Sequence, residues 1–183
     1  MTATTETSVT TQVYRVYIKS TPQAIWDAIT KPEWSERYGY GGRVEYDLRP
    51  GGLYRAFASE DMKRARAEMG GSPTPDVIVD GEVIESDPPR RLVQTWRMLM
   101  DVGTEAEGFT RLTYEIDEVR PGVSKLTLIH ELEGATRLAM FLAGEMESAG
   151  AGGGWAEVLS DLKTLLETGE SLTTPGSLMY SEA

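Results

Sequence analysis

With 183 residues and a formal charge of −11, the chain is long enough to bury roughly 70% of its unfolded surface as one domain. Its charge opposes binding to phosphate backbones or adhesion to anionic membranes. It contains no cysteine, which removes disulfides, thiolate metal sites and thiol nucleophiles together, and a single histidine falls short of the three or four ligands of a zinc site. Neither metal nor cofactor is expected. No apolar run approaches the ~18 residues that span a bilayer, and the first dozen residues lack the basic start and apolar core of a secretory signal. A cytoplasmic location is the expectation, with no nucleic acid and no membrane insertion.

In chain order, residues 1–11 are rich in threonine and serine and read as a disordered tail. Residues 13–19 alternate, with Tyr14, Val16 and Ile18 on one face and Arg15, Tyr17 and Lys19 on the other, as in a half-buried strand. Ser20-Thr21-Pro22 supplies a capping hydroxyl and a first-turn proline. The helix that follows carries Ala24, Ile25, Ala28 and Ile29 on one side, and Pro32 ends it and opens a second short helix. Residues 43–48 and 53–58 are strands joined through Pro50-Gly51-Gly52, a hairpin signal. The stretch 59–76 is an irregular insertion with a basic, helix-favouring piece over 61–69, and it reads as a mobile flap. Strands follow over 77–86, 92–100, 111–119 and 125–132, separated by Asp87-Pro88-Pro89 and Arg120-Pro121-Gly122. Residues 134–150 hold a short amphipathic helix with Leu138, Phe141, Leu142 and Met146.

The strongest periodic signal lies over 152–169. Trp155, Val158, Leu159, Leu162, Leu165 and Leu166 make one helical stripe, while Glu157, Ser160, Asp161, Thr164 and Glu167 take the other side, and Gly169 stops the helix. Burial of the stripe contributes on the order of 10–15 kcal/mol as an upper bound, comparable to the net stability of a whole domain. Residues 170–183 read as a tail. One strand, two short helices, about six strands and a long helix make an α+β domain over 12–169. A curved antiparallel sheet wrapped around one long helix leaves a space in which a small apolar ligand would sit.

Six pieces in order carry a family resemblance. They are Ser20-Thr21-Pro22 through Trp26 to Thr30; Lys31-Pro32-Glu33; Asp47-Leu48-Arg49-Pro50-Gly51-Gly52-Leu53-Tyr54; Gly81-Glu82-Val83-Ile84-Glu85 with Pro88-Pro89-Arg90-Arg91-Leu92 to Trp96; His130-Glu131; and Gly154-Trp155 to Leu166. Covering about residues 12–168, they resemble the helix-grip fold of the START-like, birch-pollen-allergen-like superfamily (SRPBCC, polyketide cyclase/dehydrase-like). Within it, they resemble the family of the activator of heat-shock-protein-90 ATPase homologue. The resemblance implies a hydrophobic cavity, since relatives carry lipids, hormones or polyketides or catalyse cyclisation. It also implies that the 59–76 insertion and the 134–154 connection lie near the cavity mouth.

Candidate residues carry two readings each. His130 shares a sheet face with Leu126, Leu128 and Leu132. It is either a hydrogen-bond donor or acid/base towards a ligand, or a buried imidazole bonded to a neighbour. Trp34, Tyr38, Tyr54, Trp96 and Trp155 are candidate cavity aromatics, suited to orienting a planar or sterol-like ligand, and are equally explained as core. Arg55 and Arg97 read as surface residues. Gly150, Gly152, Gly153 and Gly154 lack the Lys-Ser/Thr of a phosphate loop and read as a hinge or close-approach segment. The leading expectation is binding of a small hydrophobic molecule. A cyclase/aromatase using His130, or a chaperone-activator-like interaction module, stands as the alternative, and self-association into a homodimer is allowed for.

Overall fold

The computed structural model describes residues 11–172. Of the tails read at 1–11 and 170–183, only Thr11 and residues 170–172 fall inside it. Seven strands, β1 (Thr11–Ile18), β2 (Arg43–Tyr46), β3 (Leu53–Phe57), β4 (Val77–Asp87), β5 (Arg91–Met98), β6 (Thr110–Arg120) and β7 (Val123–Glu131), form one sheet in the order β1-β7-β6-β5-β4-β3-β2. Every neighbouring pair is antiparallel. The last six strands are a meander, and β1 returns to hydrogen-bond the edge that β7 would otherwise leave open. Register shifts at Ala56/Phe57, Val83/Glu85 and Glu118/Arg120 mark the irregularities that let such a sheet curve. A Cβ on Gly81 would lie 1.9 Å from the Thr95 carbonyl oxygen, so β4 and β5 approach here only through a glycine.

The helices are α1 (Pro22–Thr30), α2 (Pro32–Ser35), α3 (Glu60–Glu68), α4 (Val102–Ala106), α5 (Thr136–Leu142) and α6 (Gly154–Thr168). Thr21 caps α1 by accepting from the Ala24 amide at 3.2 Å, with Pro22 in the first turn. Ser59 caps α3 in the same way. The insertion is therefore organised around a helix of its own. The five residues of α4, capped by the Asp101 carboxylate, escape a reading by periodicity because they make little more than one turn.

Helix α6 lies on the concave side of the sheet. Leu159, Leu162 and Leu165 are buried, and Leu159 and Leu162 share one core cluster with Ile25 and Ile29 of α1 and with Leu126 and Leu128 of β7. Lys163 Nζ donates to the Tyr17 carbonyl at 2.7 Å, and the Lys19 amide donates to Glu167 at 2.8 Å, tying the helix to the end of β1. Gly169 closes α6 in the left-handed conformation, φ 85°.

One expectation is corrected. Asp161 is fully buried and not part of the helix's solvated side. Its carboxylate accepts from the Gly39 amide at 2.7 Å and from the Leu172 amide at 2.6 Å, joining the α2–β2 loop and the chain beyond α6 to the helix. Asp161→Ala should orphan both amides and lower unfolding stability by roughly 2–3 kcal/mol, read by urea denaturation. A loss below about 0.5 kcal/mol would mean that the carboxylate ties nothing together.

Candidate functional site

Between the sheet and the first half of α6 the core is not filled. A cavity of about 470 Å³ is walled by strand residues (Val44, Tyr46, Tyr54, Ala56, Trp96, Tyr114), by Tyr38 and Tyr40 of the α2–β2 loop, and by Trp155 and Val158 of α6. Met62, Arg66 and Met69 of the insertion and Phe141 and Leu142 of α5 close its remaining sides. Exposed Met69, Gly71 and Ala149 rim the opening. The 59–76 insertion and the 134–154 connection thus both meet at the mouth. The glycine run is a close-approach segment: a Cβ on Gly154, at φ +68°, would meet the Leu142 carbonyl oxygen at 2.1 Å.

Of the sequence candidates, Tyr38, Tyr54, Trp96 and Trp155 come together on the cavity wall, whereas Trp34 and His130 do not line it. Trp34 packs against the core's margin beneath the Arg37 guanidinium, 4.7 Å from the ring centre. Arg55 is exposed, and Arg97 pairs in a bidentate contact with Asp80 at 3.0 and 2.7 Å and lies over Phe109. Sequence reasoning missed Tyr40, Tyr46, Tyr114 and the methionines. Strand parity could have found two of these: Tyr46 faces Tyr54 across the hairpin, and Tyr114 alternates with Leu112 and Ile116.

His130 is fully buried behind Trp96 and Trp155. The Trp155 indole N–H donates to His130 Nδ1 at 3.1 Å, so Nδ1 is the unprotonated nitrogen. Nε2 then carries the hydrogen and donates to Thr110 Oγ1 at 2.7 Å, and Thr110 donates onward to the Trp96 carbonyl at 2.8 Å. Each member of this relay is satisfied, and its geometry fixes the Trp155 indole and the Trp96 backbone. Burial, with no carboxylate beside the ring, lowers the His130 pKa to about 3.

The cavity phenols are neutral for the same reason. Burial raises the Tyr38, Tyr46, Tyr54 and Tyr114 hydroxyls above the ordinary tyrosine value, and that of Tyr40 to about 12. Tyr38 donates to the Ala28 carbonyl at 3.1 Å, Tyr40 to the Ala151 carbonyl at 3.2 Å, and Tyr46 to Gln94 Oε1 at 2.8 Å. Tyr46 and Tyr54 stack with ring centres 4.6 Å apart. Among the described residues no group of three His, Asp or Glu side chains converges, and no helix is long and apolar enough to cross a membrane.

The family described as activator of Hsp90 ATPase homolog 1-like protein matches residues 19–167. The chain belongs to this family. Among solved structures, the protein encoded by gene BPP1335 of Bordetella parapertussis is similar at a TM-score of 0.64 and 18% identity, over 95% of this chain and 83% of that one. The Aha1 dimer from Colwellia psychrerythraea has a TM-score of 0.57 at 16% identity, over 88% and 98% of the two chains. PFC0360w, an HSP90 activator from Plasmodium falciparum, has a TM-score of 0.57 at 17% identity, over 86% and 96%. No curated protein matches the chain. At these identities the structures share the helix-grip fold, and family and fold together fit a ligand-binding SRPBCC domain.

The lowered pKa of His130 gives a prediction with a definite sign. Between pH 6.5 and about 3 the unfolded chain takes up a proton at this residue that the folded chain does not. Stability should therefore fall with decreasing pH across that window, by up to about 1.4 kcal/mol per pH unit from this group alone. Denaturation at several pH values should show the slope, and His130→Gln should remove it. The one imidazole in the chain, followed by NMR, should stay neutral at pH 5; titration near 6.5 would contradict its enclosure.

Proposed function

We propose that this protein binds a small, predominantly hydrophobic molecule of lipid-, sterol- or polyketide-like character in the cavity between the sheet and α6, with Tyr38, Tyr54, Trp96 and Trp155 as contact residues. The observation that carries this reading is the empty volume itself. Protein interiors pack to crystal density and leave few voids larger than a water molecule. A space of about 470 Å³ walled by aromatic and aliphatic side chains falls within the roughly 300–1,000 Å³ of small-molecule sites. His130 acts in this reading as a positioning residue that holds the Trp155 indole, and acid/base chemistry at its ring gives way to that role.

The similarity to an HSP90 activator supports a second reading, a module that docks on a chaperone through its outer surface. The similarity to a dimeric Aha1 supports self-association, which light scattering would register. The size and lining of the cavity favour the first reading.

Native mass spectrometry of freshly purified protein should reveal a co-purified small molecule, or the apo protein should take up Nile red with a rise in fluorescence. Ala56→Phe, which fills the cavity from β3, should abolish uptake while leaving the circular dichroism spectrum unchanged. Apo protein that gains fluorescence from no apolar probe would overturn the reading, as would unchanged uptake by the filled variant.

A further inference from the structure

Two charged side chains border the cavity, Arg66 and Asp101, and they differ in what holds them. Asp101 is engaged: its carboxylate caps α4 through the Gly103 and Thr104 amides and grips the Arg137 guanidinium at 2.7 and 3.0 Å. Arg66 has no such counter-charge. Its Nη2 donates to a neutral acceptor, the Met100 carbonyl, at 2.9 Å, and no carboxylate among the described residues pairs with it. The other two cations of α3 are paired, Lys63 with Glu60 and Asp76, and Arg64 with Asp61. In a chain of net charge −11, the α3 cation without a carboxylate is the one at the apolar space. A guanidinium presents five N–H donors in a planar fork that matches an oxyacid group, and one of the five is used here.

The helix sets the depth of this charge. Met62, Arg66 and Met69 recur at i, i+4 and i+7, so one face of α3 turns all three to the cavity. Met62 is fully buried and Met69 is exposed, which puts half-buried Arg66 between the interior and the mouth. Gly71 packs on its stem: a Cβ there would lie 2.9 Å from Arg66 Cγ, and the Gly71 amide donates to the Arg66 carbonyl at 3.0 Å. An ion pair formed at this depth keeps part of its hydration and avoids the full desolvation penalty of the interior. It is also less screened than a pair on the open surface. Inward of Arg66 the wall is aromatic and aliphatic and holds no second cation. Met98 and Met100 add thioethers, which adapt to a flexible apolar chain. The polarity of the site therefore runs in one direction, from a cationic rim to an apolar interior.

Resting on the proposed cavity function, we infer that Arg66 of the insertion is the specificity-determining residue of the site. It selects an amphipathic acid, with one carboxylate paired to the guanidinium at the mouth and the apolar body inside. Displacement of Nile red near neutral pH by three probes of equal chain length tests this: decanoate, 1-decanol and decylammonium. Decanoate should displace the dye at concentrations about tenfold or more below those of decanol, and decylammonium should be weakest. Arg66→Met keeps an apolar stem and removes the charge, and should cut the preference for decanoate over decanol about tenfold or more. Arg66→Lys, which keeps the charge but not the fork, should retain part of that preference. Arg66→Gln repeats the loss of charge should the methionine variant fail to fold. If decanol matches decanoate on the unaltered protein, or if the neutral variants weaken both probes alike, the inference falls and the cavity reading stands. If Nile red is excluded and calorimetry detects no binding of any of the three, both fall.

Discussion

The seat of α6 on the concave face of the sheet is the constraint on which the rest of the structure depends. Along one helix the same apolar stripe does two things. Its second half, through Leu159, Leu162 and Leu165, is buried in the ordinary way, while its first half, through Trp155 and Val158, faces the cavity. Burial of the second half supplies the docking free energy. That frees the first half to present aromatic surface without a close-packed partner. A helix buried along its whole length would leave no site, and one without the Leu159–Leu162–Leu165 row would not stay in place.

Holding the first half of α6 clear of the sheet needs supports that are not themselves fillers. One is the crossing of the chain beside α5, where Gly154 meets the Leu142 carbonyl so closely that only a glycine fits. Another is Asp161, whose bond to the Gly39 amide fixes the α2–β2 loop, and with it Tyr38 and Tyr40, against the helix, while its bond to the Leu172 amide holds the chain beyond α6. The third is the His130 relay. Trp155 and Trp96 belong to different elements, and a buried imidazole with Thr110 links them by directional bonds. These bonds cost the core little because every donor in the relay has an acceptor.

Much of this was legible in the sequence, and the limit has a physical form. Local periods were readable: the alternation of Tyr14, Val16 and Ile18, the Thr21-Pro22 start of α1, the stripe of α6 and its stop at Gly169 each depend on residues within a turn or two. Asp161 was misread because its partner, the Gly39 amide, lies 122 positions away, and nothing on the helix itself distinguishes it from the solvated Ser160 beside it. The same applies within the site. Tyr38, Tyr54, Trp96 and Trp155 stood out as large aromatics, but Trp34 stood out equally and packs elsewhere. Parity assigns Tyr46 and Tyr114 to the inner face. It says nothing about which end of that face lies beneath empty space. That depends on where α5 and the insertion settle, a tertiary outcome with no local pattern.

The relay also separates two roles that a lone histidine in a sequence leaves joined. An imidazole that serves as acid or base near neutral pH needs a pKa in that range and access to the reacting group. His130 has neither, since both nitrogens are engaged by protein and burial holds the ring neutral far below pH 7. Those same properties suit a fixed strut. A ring that does not change charge over the physiological range keeps one tautomer, and one tautomer keeps the Trp155 N–H and the Thr110 hydroxyl pointed in constant directions. Replacing the imidazole by an apolar side chain of similar size would preserve the packing and lose the directions, leaving the Trp155 indole free to rotate into the space it now borders. In this fold, polar bonds buried behind the wall keep an apolar cavity open.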